Sequence, residues 1–308
     1  MSTLHPGSIV VGIDGSPSSG HALDWAIEEA ARRHTPLHLL HALGLDPFVT
    51  AAMANTPEPS WLAEKAPVQP DTDDVLDAAV ARVTALGPTL TVTTEVAQGD
   101  PAPRLVDLSR AADTVVVGSR GHGGARSAVL GSVSLQVSTH AHCPVAVVHA
   151  APLAHLVRPR VVVGVDGSVQ SDRAVEYAFA EASSRRIELL AVHTWWLEFL
   201  DGAMAVTVPT AQWERIEQEQ RLVLSEALSG WREKYPDVTV HEQVRRAHPV
   251  EALVRESEDA ELVVVGSRGR GGFTALVLGS VSHGVLHRAK CPVVVARNPG
   301  VAARTAVG

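Results

Sequence analysis

Two stretches of this sequence space their glycines as an anion-binding loop requires. Gly118-x2-Gly121-x9-Gly131-Ser132 and Gly266-x2-Gly269-x9-Gly279-Ser280 each begin at the end of a Val-Val-Val-Gly run and lead into a helical pattern. Glycine lets backbone N–H groups approach phosphate oxygens and supplies positive φ where a turn needs it. A helix beginning near Gly131-Ser132 or Gly279-Ser280 aims its free N–H groups and the positive end of its dipole at the anion. Ser132, Ser134, Ser280 and Ser282 can add hydroxyl donors. Two commoner loops are excluded: neither copy has the Lys of GxxxxGK[ST], and GxGxxG fails because Arg126 and Thr274 occupy the third glycine position.

The second chemical feature is an acid at the end of the first strand of each half, Asp14 and Asp166, each within G-[IV]-D-G-S and preceded by Gly12 or Gly164. In a doubly wound sheet the carboxyl ends of the strands form the ligand crevice, where a carboxylate can accept hydrogen bonds from a ribose or a base. Asp before Gly-Ser also starts an Asx-turn or caps a helix, and the two roles are compatible. Nucleophilic chemistry has little to work with: there is no G-x-S-x-G elbow and no HExxH. Neither loop carries a motif that guarantees a phosphate-binding cation or a positioned base, so binding, with hydrolysis slow at most, is the expected activity. His140-x-His142-Cys143 suggests a metal, but no second pair completes a tetrahedral set, and Arg288 and Lys290 replace the histidines in the second half. Cations at a helix C-terminus explain both versions, so no metal site is expected. Cys143 and Cys291, each before Pro, read as buried small hydrophobes. His41 and His193 end the second strand of each half, either near a bound base or as core histidines bonded to backbone.

These residues belong to a chain written twice. Ile9–Ser16 and Val161–Ser168 share six of eight residues at an offset of 152, and Thr114–Ser134 and Leu262–Ser282 share fifteen of twenty-one at an offset of 148. Two copies of this length make a tandem pair of domains, 1–150 and 159–308, joined by a proline-containing linker. In the first copy, runs of β-branched residues predict strands near 8–13, 36–42, 90–97, 114–118 and 144–149. Helical periodicity predicts helices near 18–34, 71–87, 101–111 and 131–140. Ala22, Leu23, Ala26, Ile27, Ala30 and Ala31 stripe the first helix, with Ser18 or Ser19 as its N-cap. In the second copy a helix near 209–234 aligns Trp213, Ile216, Val223, Ala227 and Trp231. Strand–helix alternation with strands apolar on both faces gives a doubly wound parallel α/β sheet. Asp46–Pro70, with five prolines, reads as a long loop, and 301–308 as a disordered tail.

The 308 residues are 45% hydrophobic and 19% charged, as in a folded protein, and the net charge of -8 argues against broad nucleic-acid or anionic-membrane binding. The 2 cysteines fit a reducing compartment, and with no secretory signal pattern and no run of apolar residues long enough to span a bilayer, a cytoplasmic protein is expected.

The glycine loop, the first-strand Asp and the Leu39–Ala42 stretch together resemble the universal stress protein family, in its tandem-domain, ATP-binding form, over about residues 8–297. The resemblance implies two five-stranded sheets of adenine nucleotide alpha hydrolase-like type, order 3-2-1-4-5, with ATP across the strand ends. It assigns adenosine contacts to Asp14 and Asp166 within Gly12-x-Asp14 and Gly164-x-Asp166, and the adenine edge to Ala42 and Thr194. Gly118, Gly121, Gly131, Ser132, Val133 and Ser134 would wrap the ribose and phosphates in one copy. Gly266, Gly269, Gly279, Ser280, Val281 and Ser282 would do so in the other, with Mg admissible through the phosphates. It further implies a stress-response or dormancy regulator that pairs, as a homodimer or a pseudo-dimer of its own halves, through the last strands, Val145–Val148 and Val293–Val295. An interaction scaffold independent of nucleotide is the alternative, and an adenylating or flavin-binding enzyme a weaker third. On this reading Asp14→Ala or Gly118→Val empties the first site and leaves the fold intact.

Overall fold

The computed structural model describes residues 4–43, 72–121, 130–149, 159–195, 210–269 and 278–297. The expected loop at 46–70, the tail at 301–308, Trp196, and the loop residues His122 and Arg270 lie outside them. The chain divides after Val148 into two units. The first contains β1 (Ile9–Ile13), α1 (Pro17–Arg33), β2 (Leu37–Leu43), α2 (Thr72–Leu86), β3 (Val92–Gln98), α3 (Pro101–Leu108), β4 (Thr114–Gly118), α4 (Ser132–His140) and β5 (Val145–Val148). The second contains β6 (Arg160–Val165), α5 (Val169–Arg185), β7 (Glu188–Trp195), α6 (Thr210–Lys234), β8 (Val240–Arg246), α7 (Pro249–Glu256), β9 (Leu262–Gly266), α8 (Ser280–Arg288) and β10 (Val293–Ala296).

Within each unit every strand pairing is parallel. β1 pairs with β2 and β4, β2 with β3, and β4 with β5, giving the order 3-2-1-4-5. The second unit repeats it as 8-7-6-9-10. Helices must therefore carry the chain back across the faces, and the central strands are buried on both sides: Val10, Val11, Val115, Val116 and their counterparts Val162, Val163, Val263 and Val264 are inaccessible to water. α1 packs against β1 and β4 and against α2; α3 packs against β1, β2, β3 and α4. Chain order reverses between β1 and β4, which opens a crevice at their carboxyl ends.

Local chemistry departs from expectation in three places. The N-cap of α1 is Ser16, whose Oγ accepts from Ser19 N at 3.2 Å, with Pro17 at the first helical position; Ser18 and Ser19 lie inside the helix. Gly15, at φ 81°, turns the chain so that the cap falls two or three residues before the expected Ser18 or Ser19. Ala31 is exposed, while Glu29 is fully buried among the apolar stripe and bonded to Arg32 and Arg33. In α6 the deepest residues are Leu224 and Leu228, flanked by the expected Trp213, Ile216, Val223, Ala227 and Trp231.

One polar cluster distinguishes the units. His38 on β2 is inaccessible to water; its Nδ1 meets Thr93 Oγ1 at 2.8 Å and its Nε2 meets Glu95 Oε2 at 3.3 Å. Arg104 of α3 donates to both Glu95 oxygens, at 2.5 and 2.9 Å. Burial holds the His38 imidazole below its ordinary range, and the hydrogen bonds from Arg104 hold the Glu95 carboxyl below its own. Repeat offsets put Leu190 and Gln243 at the matching places in the second unit. Below pH about 6.5 the unfolded His38 binds a proton that the folded one refuses, so stability falls as pH drops towards the folded pKa. Glu95 adds stability above its ordinary pKa, lost as pH falls through its depressed folded value. Both effects have the same sign. Acidification from pH 7 to 5 should therefore destabilise the first unit through His38; burial likewise holds the His287 imidazole of the second unit below its ordinary range, so both units lose stability and His38→Leu should remove the first unit's share alone. Hydrogen exchange followed unit by unit against pH checks it; an unchanged pH dependence of the first unit in His38→Leu would refute it.

Candidate functional site

The crevice of the first unit is a cleft of about 540 Å³ at the carboxyl ends of β1, β2 and β4. Its walls include Gly12, Asp14, Ala42, Gly118, Gly121, Gly131, Ser132, Val133 and Ser134, so all nine candidates from the first copy come together. Sequence reasoning passed over Ile13, Ser19, Leu40, Pro101, Leu105, Val117, Arg120 and Leu130, which also line it. The apolar ones were hidden because they read as ordinary core periodicity. Arg120 was legible: Ser-Arg-Gly stands at the same place in both copies.

Asp14 shows how the local chain builds the site. Its Oδ1 accepts from Ser16 N at 2.9 Å, forming an Asx-turn, and its own N–H reaches Ser19 Oγ at 3.4 Å. Gly121 lies over its second oxygen so closely that a Cβ there would stand 2.6 Å from Oδ2. The second unit repeats the arrangement: Asp166 Oδ1 accepts from Ser168 N at 2.9 Å, Asp166 N donates to Ser171 Oγ at 3.0 Å, and a Cβ on Gly269 would stand 2.5 Å from Oδ2. The turn role and the cleft-facing role of the first-strand Asp thus coexist.

Gly131 and Gly279 are the N-caps of α4 and α8 and supply no side-chain acceptor. Ser16, Asp100 and Ser168 do cap α1, α3 and α5. The N–H groups at 132–134 are therefore presented to the cleft with the positive end of the helix dipole behind them. Arg120 adds a cation beside them, while its backbone N–H, donating to Ser18 Oγ at 3.2 Å, ties the loop to α1. Ser134 and Ser282 are buried and spend their hydroxyl protons on Gly118 O and Gly266 O, each at 2.6 Å. Their hydroxyls bind helix to strand end, leaving the exposed Ser132 and Ser280 as the hydroxyls open to solvent.

Gly118 needs a correction. A Cβ there would stand 2.7 Å from the backbone carbon and oxygen of Ser18, and one on Gly266 would stand 2.7 Å from Gln170 O. These glycines allow the first turn of α1 or α5 to rest on the end of β4 or β9. Gly118→Val consequently damages packing and does not leave the fold intact. Gly12 and Gly164 likewise face Leu105 and Leu253, at 3.3 and 3.0 Å from a built Cβ.

His41 and His193 are core histidines that hold two strands together. Nδ1 of each donates to a first-strand carbonyl, Ile13 O at 2.7 Å and Val165 O at 2.6 Å, and His193 Nε2 meets Gln220 of α6 at 2.8 Å. Residues alternate across a strand, so His193 and Trp195 share the α6 face while Thr194 looks the other way. Trp195 packs on Trp213, ring centroids 5.7 Å apart, with the Arg246 guanidinium 4.0 Å above Trp213. Cys143 and Cys291 are buried, and burial pushes the Cys291 thiol up to about 12, so it packs rather than reacts. His140 Nδ1 donates to Gln136 O at 3.0 Å, at the end of its own helix. Among the described residues no three His, Cys, Asp or Glu side chains are grouped to hold a metal, and no helix is long and apolar enough to cross a membrane.

Two sheets of order 3-2-1-4-5 in tandem, each with a glycine loop and an acid at the strand ends, define a double-domain protein of the adenine nucleotide alpha hydrolase-like fold. The sequence pattern of the universal stress protein family matches residues 7–149 and again 158–297. The chain belongs to the universal stress protein family. A universal stress protein of Mycobacterium tuberculosis is 40% identical over 297 residues, covering 94% of this chain and 96% of its own length. One from Mycolicibacterium smegmatis is 40% identical over 295 residues with the same coverage. The crystal structure of a universal stress protein from Archaeoglobus fulgidus shares the fold at 21% identity, with a TM-score of 0.63 over 94% of this chain and 96% of that one.

Proposed function

We propose that the chain binds ATP at the strand ends of both units and acts as a regulator of stress adaptation or growth arrest rather than as an enzyme. One observation carries the reading: a cleft of about 540 Å³ has Asp14 on one wall and, on another, a glycine loop with an uncapped helix N-terminus and Arg120. The volume suits a nucleotide. The acid complements the hydroxyls of a ribose, and the N–H groups with the guanidinium complement phosphates. Mg, where present, enters with the phosphates; the described protein groups do not build a cage for it. No residue of the cleft stands out as a general base for hydrolysis, which supports binding over turnover. Bound ATP would alter the surface around the glycine loops, and so the affinity for a protein partner or a second copy. The net charge of -8 supports partners other than nucleic acid or anionic membrane, in a cytoplasmic setting.

Native mass spectrometry of the purified chain, with and without added ATP, tests this. Two ATP per chain are expected, falling to one in Asp14→Ala and one in Asp166→Ala, with thermal transitions retained. A chain that takes up no ATP overturns the proposal and favours a nucleotide-independent scaffold.

A further inference from the structure

The two strand-end sites share a framework and differ in charge at the start of the third helix of each unit. We propose that Asp100 makes the first site the weaker for phosphates and that His248 in its place makes the second the stronger, so that the pair discriminates nucleotides by phosphate charge. This rests on the nucleotide reading above.

The shared parts cancel in the comparison. Asp14 and Asp166 make the same turn, Gly131 and Gly279 open α4 and α8 without a side-chain cap, and Arg120 and Arg268 follow the strand in both copies. The difference lies at the start of the third helix of each unit. In the first, Asp100 is the N-cap of α3, is exposed, and accepts from Ala102 N at 3.0 Å; the next residue, Pro101, lines the cleft together with Leu105. Asp100 therefore uses one of the N–H groups that α3 has to offer and puts a full negative charge beside the mouth.

In the second unit His248 is the N-cap of α7, equally exposed, and makes no side-chain capping bond. It carries no negative charge, and it leaves the N-terminus of α7 open. The second unit does bring Glu251 where the first has Pro103. Pro101 and Leu105, four residues apart, mark the cleft side of α3, and a residue midway between them lies about 200° around the helix axis, away from the cleft. The glycine loops carry two arginines each, Arg120 and Arg126 against Arg268 and Arg270, so the difference that remains at the start of the third helix is one carboxylate fewer.

A solvent-screened carboxylate near a polyphosphate changes affinity by about three- to tenfold at low salt and by far less at high salt. Adenosine, which has no phosphate, is unaffected. The ratio of ATP to adenosine affinity, site by site, is therefore the quantity that reads this rim charge.

Calorimetric titration of ATP and of adenosine into Asp166→Ala, which keeps the first site, and Asp14→Ala, which keeps the second, gives both ratios. The ratio is expected to be about three- to tenfold higher at the second site in low salt, and to converge at high salt. Adding Asp100→Asn, which keeps an acceptor for Ala102 N and removes the charge, should raise the ratio at the first site. His248→Asp should lower it at the second. Equal ratios, or ratios that these two changes leave in place, overturn the rim-charge inference while leaving nucleotide binding standing. Shifts in adenosine and ATP affinity by the same factor overturn it too. Failure of every version to bind either ligand, with thermal transitions intact, overturns the nucleotide reading and this inference with it.

Discussion

Gly118→Val is expected to destabilise the first unit by about 2–4 kcal/mol, and so to lower its thermal midpoint by on the order of 10 °C. The added Cβ would stand 2.7 Å from the backbone of Ser18, where no side chain can swing away to make room. Either the first turn of α1 lifts from β4 or the strand end bends. The lifted turn carries Ser18 and Ser19, one bonded to Arg120 N and the other to Asp14 N, so the cleft distorts with the fold. Gly266→Val should do the same to the second unit through Gln170 O, also at 2.7 Å. Differential scanning calorimetry separates this from a ligand effect, because the loss is measured without nucleotide. A Gly118→Val chain that melts like the parent yet fails to bind would refute the packing role. Asp14→Ala is the cleaner lesion, since it removes an Asx-turn and a cleft wall without intruding on a neighbour.

The second large effect is expected at Arg185. This residue of α5 donates to Glu181 at 2.8 Å and to Glu261 at 2.5 Å, with side chains 3% and 1% exposed for Arg185 and Glu181. Removing one partner of a buried pair leaves charge in a poorly solvated place, at a cost of about 3–5 kcal/mol. Arg185→Ala should destabilise the second unit by that amount. In the first unit the corresponding Arg33 pairs with buried Glu29 at 2.5 Å and with Asp113 at 2.7 Å, but it is 22% exposed and Asp113 is 44% exposed. Arg32, which also bonds Glu29, and water at the exposed side can take over part of its work there, so Arg33→Ala should cost about 1–2 kcal/mol. Urea denaturation of both variants is the check. An Arg185→Ala cost no greater than that of Arg33→Ala would refute the argument from burial.

Most of the architecture was legible because two signals agree along the chain. Short continuous β-branched runs alternate with stripes of period 3.6, and the second copy repeats the first. Of the nine cleft residues of the first copy, the glycines, the acid and the two serines stood out by pattern, while Ala42 and Val133 came from the family resemblance. What remained hidden is contact across the sequence. Ser18 and Ser19 read as the candidate caps, and only the turn at Gly15 shows that the helix begins earlier, with Ser16 as its cap. His41 could have faced a base, and only the carbonyl of Ile13 at 2.7 Å shows which side of β2 it serves. Glu29 and Glu181 read as polar interruptions of an apolar face, because the arginines that neutralise Glu29 and Glu181 give no sign of burial in one dimension. Leu105 and Leu40 read as core, and they are core on one side and cleft wall on the other.

The close approach of Ser18 to Gly118, and of Gln170 to Gly266, changes what a glycine signature measures. A duplicated half released from any ligand would still be held to these glycines by the demand that it fold, because the helix has nowhere else to rest. Drift after duplication is freer at exposed helix starts such as 100 and 248, where Asp100 caps α3 and His248 makes no side-chain capping bond. Two halves of one chain can in this way diverge in what they sense while their fingerprints stay the same.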